Sequence, residues 1–237
     1  MFERESSSLR LTGITPRTDE QVPSAEKTRD MTAVRLPRVV PMLPSVLLVV
    51  ALGLVVGILT SLGQGAGLGP LANSASAWTV PTAAGVLLVR PDLRLAPLLG
   101  ALGFAADILG YTVASDLRGF PFFPAFWLAV GLVAGPVVGC AAALLLRQDR
   151  RQVAVGTGVL CGILLGEGIY GLVAVVATTG AGYWIALLGI AVAAFATVAV
   201  RRLRSIRLTA LAAAVTAVTV GVFLVGYAAV LPALMLA

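Results

Sequence analysis

The chain has 237 residues, 59% of them hydrophobic and 12% charged, with 26 glycines and no histidine. Soluble globular chains carry about twice that share of charge, so the composition places this protein in a membrane. The lack of histidine removes imidazole catalysis and most metal sites, and the net charge of +6 gains meaning only once the basic residues are placed relative to a bilayer.

Residues 1–40 hold seven of the 17 Lys+Arg and six of the 11 Asp+Glu, with Ser, Thr and Pro scattered between them. With no apolar period, such a segment buries too little surface to order itself, which predicts a disordered cytoplasmic tail. Its mixed charge and length exclude a secretory signal. Met31 offers an alternative start, with a short "MTAVRLPRVVP" leader before the first span.

Residues 41–237 are expected to form an all-α membrane helical bundle with seven spans, at about 44–62, 71–89, 95–114, 125–146, 153–178, 183–200 and 208–230. Each is long enough to cross roughly 30 Å of hydrocarbon at about 1.5 Å per residue. The runs are continuous rather than alternating, which favours helix over barrel strand. With a cytoplasmic N-terminus, the inner side receives the tail, Arg90, Arg94, Arg147, Arg150, Arg151, Arg201, Arg202, Arg204 and Arg207. That places 16 of 17 basic residues inside and leaves only Arg118 outside, as the positive-inside rule requires. The reading is a multi-pass protein of the cell membrane whose C-terminus, "LPALMLA", lies outside. The least regular span is the second, "LANSASAWTVPTAAGVLLVR", with its polar start and Pro81.

Glycines spaced by four, at Gly53 and Gly57, at Gly131, Gly135 and Gly139, and at Gly162 and Gly166, put small residues on one helix face. These faces suit helix contacts within one protomer or between protomers of a homo-oligomer. Cys140 and Cys161 lie inside apolar runs and read as small buried residues.

Two acids, Asp107 and Glu167, fall well inside spans. A mid-membrane carboxylate costs about 3 kcal/mol, which the Leu, Ile and Val of its helix offset, so each helix inserts but the acid needs a reason. One reason is function: intramembrane ionisable groups usually face a bundle interior or a water-filled cavity. The other is packing, through hydrogen bonds from Tyr, Trp, Asn or Ser on the next helix. Counted from the cytoplasmic ends at about 1.5 Å per residue, Asp107, Glu167, Asn73 and Ser61 reach similar heights in the outer half of the membrane. Asp107 and Tyr111 are four apart and Glu167 and Tyr170 three apart, so each acid shares a face with a phenol.

These positions predict an outward-facing polar pocket with Asn73, Asp107 and Glu167 as polar contacts and Trp78, Tyr111 and Tyr170 as walls. Tyr183 and Trp184, beside the outer loop "TTGAG", read as an interfacial belt. The loop "SDLRGFPFFP" reads either as a lid or as a segment lying along the membrane. No catalytic set, metal site, cofactor site or nucleic-acid patch is expected, and the protein is not expected to be an enzyme. The function read from the residues is a small-solute binding or transport-type subunit, with a structural or assembly protein as the alternative; a small solute, the lipid bilayer and a protein partner are the expected contacts.

The stretches "LTSLGQ" (59–64), "LANSASAW" (71–78), "LGYTVASDLRGFPF" (109–122), "GEGIYGL" (166–172), Gly135–Pro136 and Tyr183–Trp184 resemble a family of small multi-span membrane proteins of high-GC Gram-positive bacteria, a domain of unknown function. The resemblance covers about residues 45–200. It implies a membrane protein without an assigned activity and supplies no catalytic residue. The region around Asp107 and Tyr111 departs from the family's double tyrosine. At the level of architecture alone, the chain is similar to the substrate-capturing membrane subunits of vitamin transporters that share an ATPase module, which is an analogy of fold and not of motif.

Overall fold

The structure, a computed structural model, describes residues 42–66, 68–72 and 74–227. The predicted tail, Asn73 and the C-terminal residues 228–237 lie outside the described residues. In chain order the helices are α1 (Met42–Gly65), α2 (Gly69–Ala72), α3 (Ala75–Val89), α4 (Ala96–Leu117) and α5 (Ala125–Leu145). α6 (Arg150–Tyr170) continues through a π-helical turn, Gly171–Val175, into α7 (Val176–Thr179). α8 (Gly182–Val198) ends in a second π-helical turn, Ala199–Leu203, before α9 (Ile206–Val225). Six of the described helical stretches are long and apolar enough to cross a membrane, as expected of a multi-pass membrane protein.

The second predicted span departs from expectation. It is divided into α2 and α3, and α3 has 15 residues, or about 22 Å of rise, short of the roughly 30 Å hydrocarbon core. The break lies at the serine-rich start. Ser74 is extended, with φ −94° and ψ 131°, and its side chain accepts a hydrogen bond from the Ser76 N–H. A hydroxyl that bonds the backbone in this way offers the chain an alternative to continued helix. Pro81 lies inside α3 without ending it, although it withholds the N–H that the turn above would use.

α4 is the centre of the first half of the bundle, packed between α1 and α5, with α3 against α1, α4 and α5. In the other half α6 packs against α8 and α9, and α5 joins α6. The glycine faces explain these pairings. A Cβ at Gly57 would lie 1.9 Å from the Asp107 carbonyl oxygen, at Gly139 2.1 Å from that of Ala96, and at Gly162 2.5 Å from the Thr219 Cβ. Backbones therefore approach as closely as they do because no side chain intervenes. All three predicted glycine faces are filled by helices of the same chain, so an oligomer would have to use another surface. The matching glycines of α4, Gly100, Gly103 and Gly110, escape the search for spacings of four because α4 meets α5 and α1 on different sides.

The basic loops gather at one end of the bundle. Arg202 donates to the Arg147 carbonyl oxygen at 3.0 Å, joining the connections after α8 and α5. At the opposite end Arg118 donates to the carbonyl and hydroxyl oxygens of Ser61, in the last turns of α1, where a cation complements the helix dipole. The Ser61 and Ser115 hydroxyls are 2.8 Å apart. Ser61 thus ties α1 to the end of α4.

Replacing Gly139 by Val is expected to lower the melting temperature in detergent markedly, since overpacking alone typically costs about 1–3 kcal/mol and the neighbour here is backbone. Gly189→Val, at a position with no atom within 4 Å of the added Cβ, is the control and is expected to leave the melting temperature almost unchanged.

Candidate functional site

The break before α3 creates a local problem. A helix start leaves first-turn N–H groups with no intrahelical partner. Glu167, only 2% exposed on α6, meets that need. Its Oε1 accepts from the Ala75 N–H at 2.6 Å and its Oε2 from the Ser76 N–H at 2.7 Å. Both oxygens are thereby held, and the negative charge lies at the positive end of the α3 dipole. Tyr183, on α8, donates its hydroxyl proton to Ser74 Oγ at 2.7 Å. Residues from α6 and α8 therefore hold the first turn of α3 in place.

Above this anchored turn lies a cavity of about 90 Å³. Ser74 and Ala75 form its polar edge, and Trp78, Tyr111, Phe122, Trp127 and Tyr227 form its walls. The rings meet edge to face: Trp78 lies 6.4 Å from Tyr111 and 6.1 Å from Trp127, and Tyr111 lies 4.8 Å from Phe122. Such contacts lock the rings and line the space with rigid apolar surface. Phe122 comes from the α4–α5 loop, where its N–H donates to Asp116 Oδ1 at 3.3 Å. Its neighbours Phe120 and Phe123 point outward, at 64% and 87% exposure. The loop thus contributes one ring to the cavity and leaves two on the surface.

Asp107 occupies a different setting. It is 0% exposed, and neither carboxylate oxygen has a hydrogen-bond partner. The Thr82 hydroxyl lies beside it, and the Trp78 Nε1, one turn nearer the start of α3, has no hydrogen-bond partner. Asp107 lies one helical turn from Tyr111, and Thr82 one turn from Trp78, so the pair sits directly beneath the Trp78–Tyr111 contact.

The predicted site residues therefore divide. Trp78 and Tyr111 line the cavity, Glu167 anchors its edge, and Asp107 is buried under its floor. Tyr170 stands behind Tyr227, with ring centroids 5.3 Å apart, and Asn73 lies outside the described residues. The belt reading of Tyr183 and Trp184 is corrected: Trp184 is 4% exposed, packs against Gly171, and donates its Nε1–H to Thr179 Oγ1 at 2.8 Å. The π-helical turn begins at that glycine, where any side chain would collide with the indole. Trp127 and Tyr227 are wall residues that the sequence pattern does not single out. Tyr227 follows Phe223 at i,i+4, and the two rings stack with centroids 4.6 Å apart, a spacing visible in the sequence but equally compatible with a lipid-facing pair. Two larger grooves flank α3, about 540 Å³ between α1, α3 and α8 and about 230 Å³ between α3, α6 and α8, and both are lined almost wholly by apolar side chains.

The helices and this cavity define a multi-pass membrane protein with an aromatic-walled recess near one end of its bundle. The chain belongs to the family of unknown function DUF6518, whose model matches residues 37–232. No curated protein and no solved structure matches the chain.

Glu167→Gln leaves one carbonyl oxygen for two N–H donors and turns an amide donor toward the other. The expected result is a loss of about 1.5–3 kcal/mol, the worth of a charge-assisted hydrogen bond, seen as a lower melting temperature in detergent. Hydrogen exchange at Ala75 and Ser76 is expected to quicken more than exchange in α9.

Proposed function

We propose that this protein is a small-solute binding or transport-type subunit of the cell membrane, and that the solute occupies the cavity bounded by Trp78, Tyr111, Phe122, Trp127 and Tyr227. The observation that carries this reading is the construction of the cavity: five aromatic rings from three helices, a loop and the end of α9 converge on a space that none of them fills. Pre-formed concave sites with rigid aromatic walls and a few polar groups are the usual form of small-molecule sites. The basic loops lie at the far end of the bundle, so the positive-inside rule turns the cavity outward. In this reading Glu167 is a positioning residue that fixes the start of α3, and Trp78 and Tyr111 touch the solute.

A structural role for Glu167 draws support from its two backbone hydrogen bonds, and the glycine faces draw support as packing surfaces from the backbone contacts they make. Both features belong to the scaffold that holds the cavity, so they favour an assembly protein only if the cavity takes no ligand.

Purified protein screened by thermal shift against vitamins, amino acids and organic cations is expected to respond to at least one class, and Trp78→Leu is expected to lose that response while remaining folded. A wild-type protein that responds to no member of the panel would overturn the solute reading in favour of the assembly role.

A further inference from the structure

Five acidic residues lie among the described residues, and four of them have an evident occupation. Asp92 accepts from the N–H groups of Arg94 and Leu95, Asp149 from that of Arg151, Asp116 from that of Phe122, and Glu167 from those of Ala75 and Ser76. Asp107, although the most deeply buried of the five, alone receives no backbone N–H, and the Thr82 hydroxyl is the polar group beside it. An unpartnered buried carboxyl is expensive, and in a membrane it marks a functional position more often than a packing device. Its location narrows that function, since Asp107 lies one turn along α4 from Tyr111, beside Thr82, which in turn lies one turn along α3 from Trp78, and Trp78 and Tyr111 both line the aromatic cavity.

Resting on the solute-site reading above, we propose that the cavity takes a small organic cation, its ammonium group against the faces of Trp78 and Tyr111, with Asp107 as the counter-charge beneath them. The charge around the site selects this sign. Among the described residues the lining contains no basic one. Arg118 is held against Ser61 and over the Phe120 ring, 5.3 Å from its centroid, rather than in the cavity. The dipole of α3, which would otherwise attract an anion, is already met by Glu167. Aromatic faces attract cations through their quadrupole, and more strongly where water is excluded. The volume of about 90 Å³ suits a methylated ammonium head and not a large ring system.

The test compares choline and tetramethylammonium with neohexanol, the uncharged carbon isostere of choline, and with pivalate, using thermal shift and tryptophan fluorescence on the full chain. Choline and tetramethylammonium are expected to bind at least about ten-fold more tightly than neohexanol, with pivalate inert. Asp107→Asn is expected to weaken choline by about ten-fold and leave neohexanol unchanged, which a purely structural effect would not do. Because Asp107→Asn disturbs a tight interface, Trp127→Leu at the cavity wall serves as a second variant and is expected to weaken the cations as well. Equal binding of neohexanol and choline by the wild type would overturn the cation assignment and leave the solute site standing. Unchanged choline affinity in folded Asp107→Asn would overturn the role of Asp107. Silence toward these probes and toward the wider panel would overturn the site itself.

Discussion

The structure depends on one contact between a carboxylate and a helix start. α3 begins among buried side chains, with Ser74 and Ser76 at 2% and 3% exposure, and an unsatisfied buried donor there would cost about 1–3 kcal/mol. Glu167 has the complementary difficulty, a buried charge that needs donors. Its two oxygens and the Ala75 and Ser76 N–H groups resolve both at once. Because the contact joins α6 to α3, it also bridges the two halves of the bundle at a level where α3 and α6 otherwise touch little. The position of Trp78, one turn further along α3, follows from it, and with Trp78 the floor of the cavity.

The remaining architecture follows from how closely helices approach. Without a hydrophobic force between helices in lipid, association rests on van der Waals contact, and that is maximised where a glycine lets one backbone touch another. α4 uses this on two sides, with Gly110 against α1 and Gly100 against α5. The same closeness seals Asp107 from solvent.

The cavity, by contrast, is the place where packing stops short. The space is closed by large rings from α3, α4, α5, the α4–α5 loop and the end of α9. Rings locked edge to face hold their positions without filling the centre. The site is therefore a by-product of rigid walls on a scaffold fixed elsewhere, which suits a pre-formed recess.

The sequence by itself determined the membrane class, six long apolar helices and the end at which the basic loops gather, because these depend on one-dimensional quantities: the length of apolar runs and the distribution of Lys and Arg. It also marked the glycine faces and the two intramembrane acids, since a small or charged residue in a span stands out by composition. The partners of those residues were decided only by tertiary structure. Two acids at similar height and each beside a phenol look alike in sequence, yet Glu167 meets a helix start and Asp107 meets none. The difference lies in which helix each one faces. The break at Ser74 likewise depends on a carboxylate 91 residues away from Ser76, and Tyr227 joined Trp78 in one wall through the packing of α9 on α6. Periodicity records which way a side chain points along its own helix, but the identity of what it meets is a property of the assembled bundle.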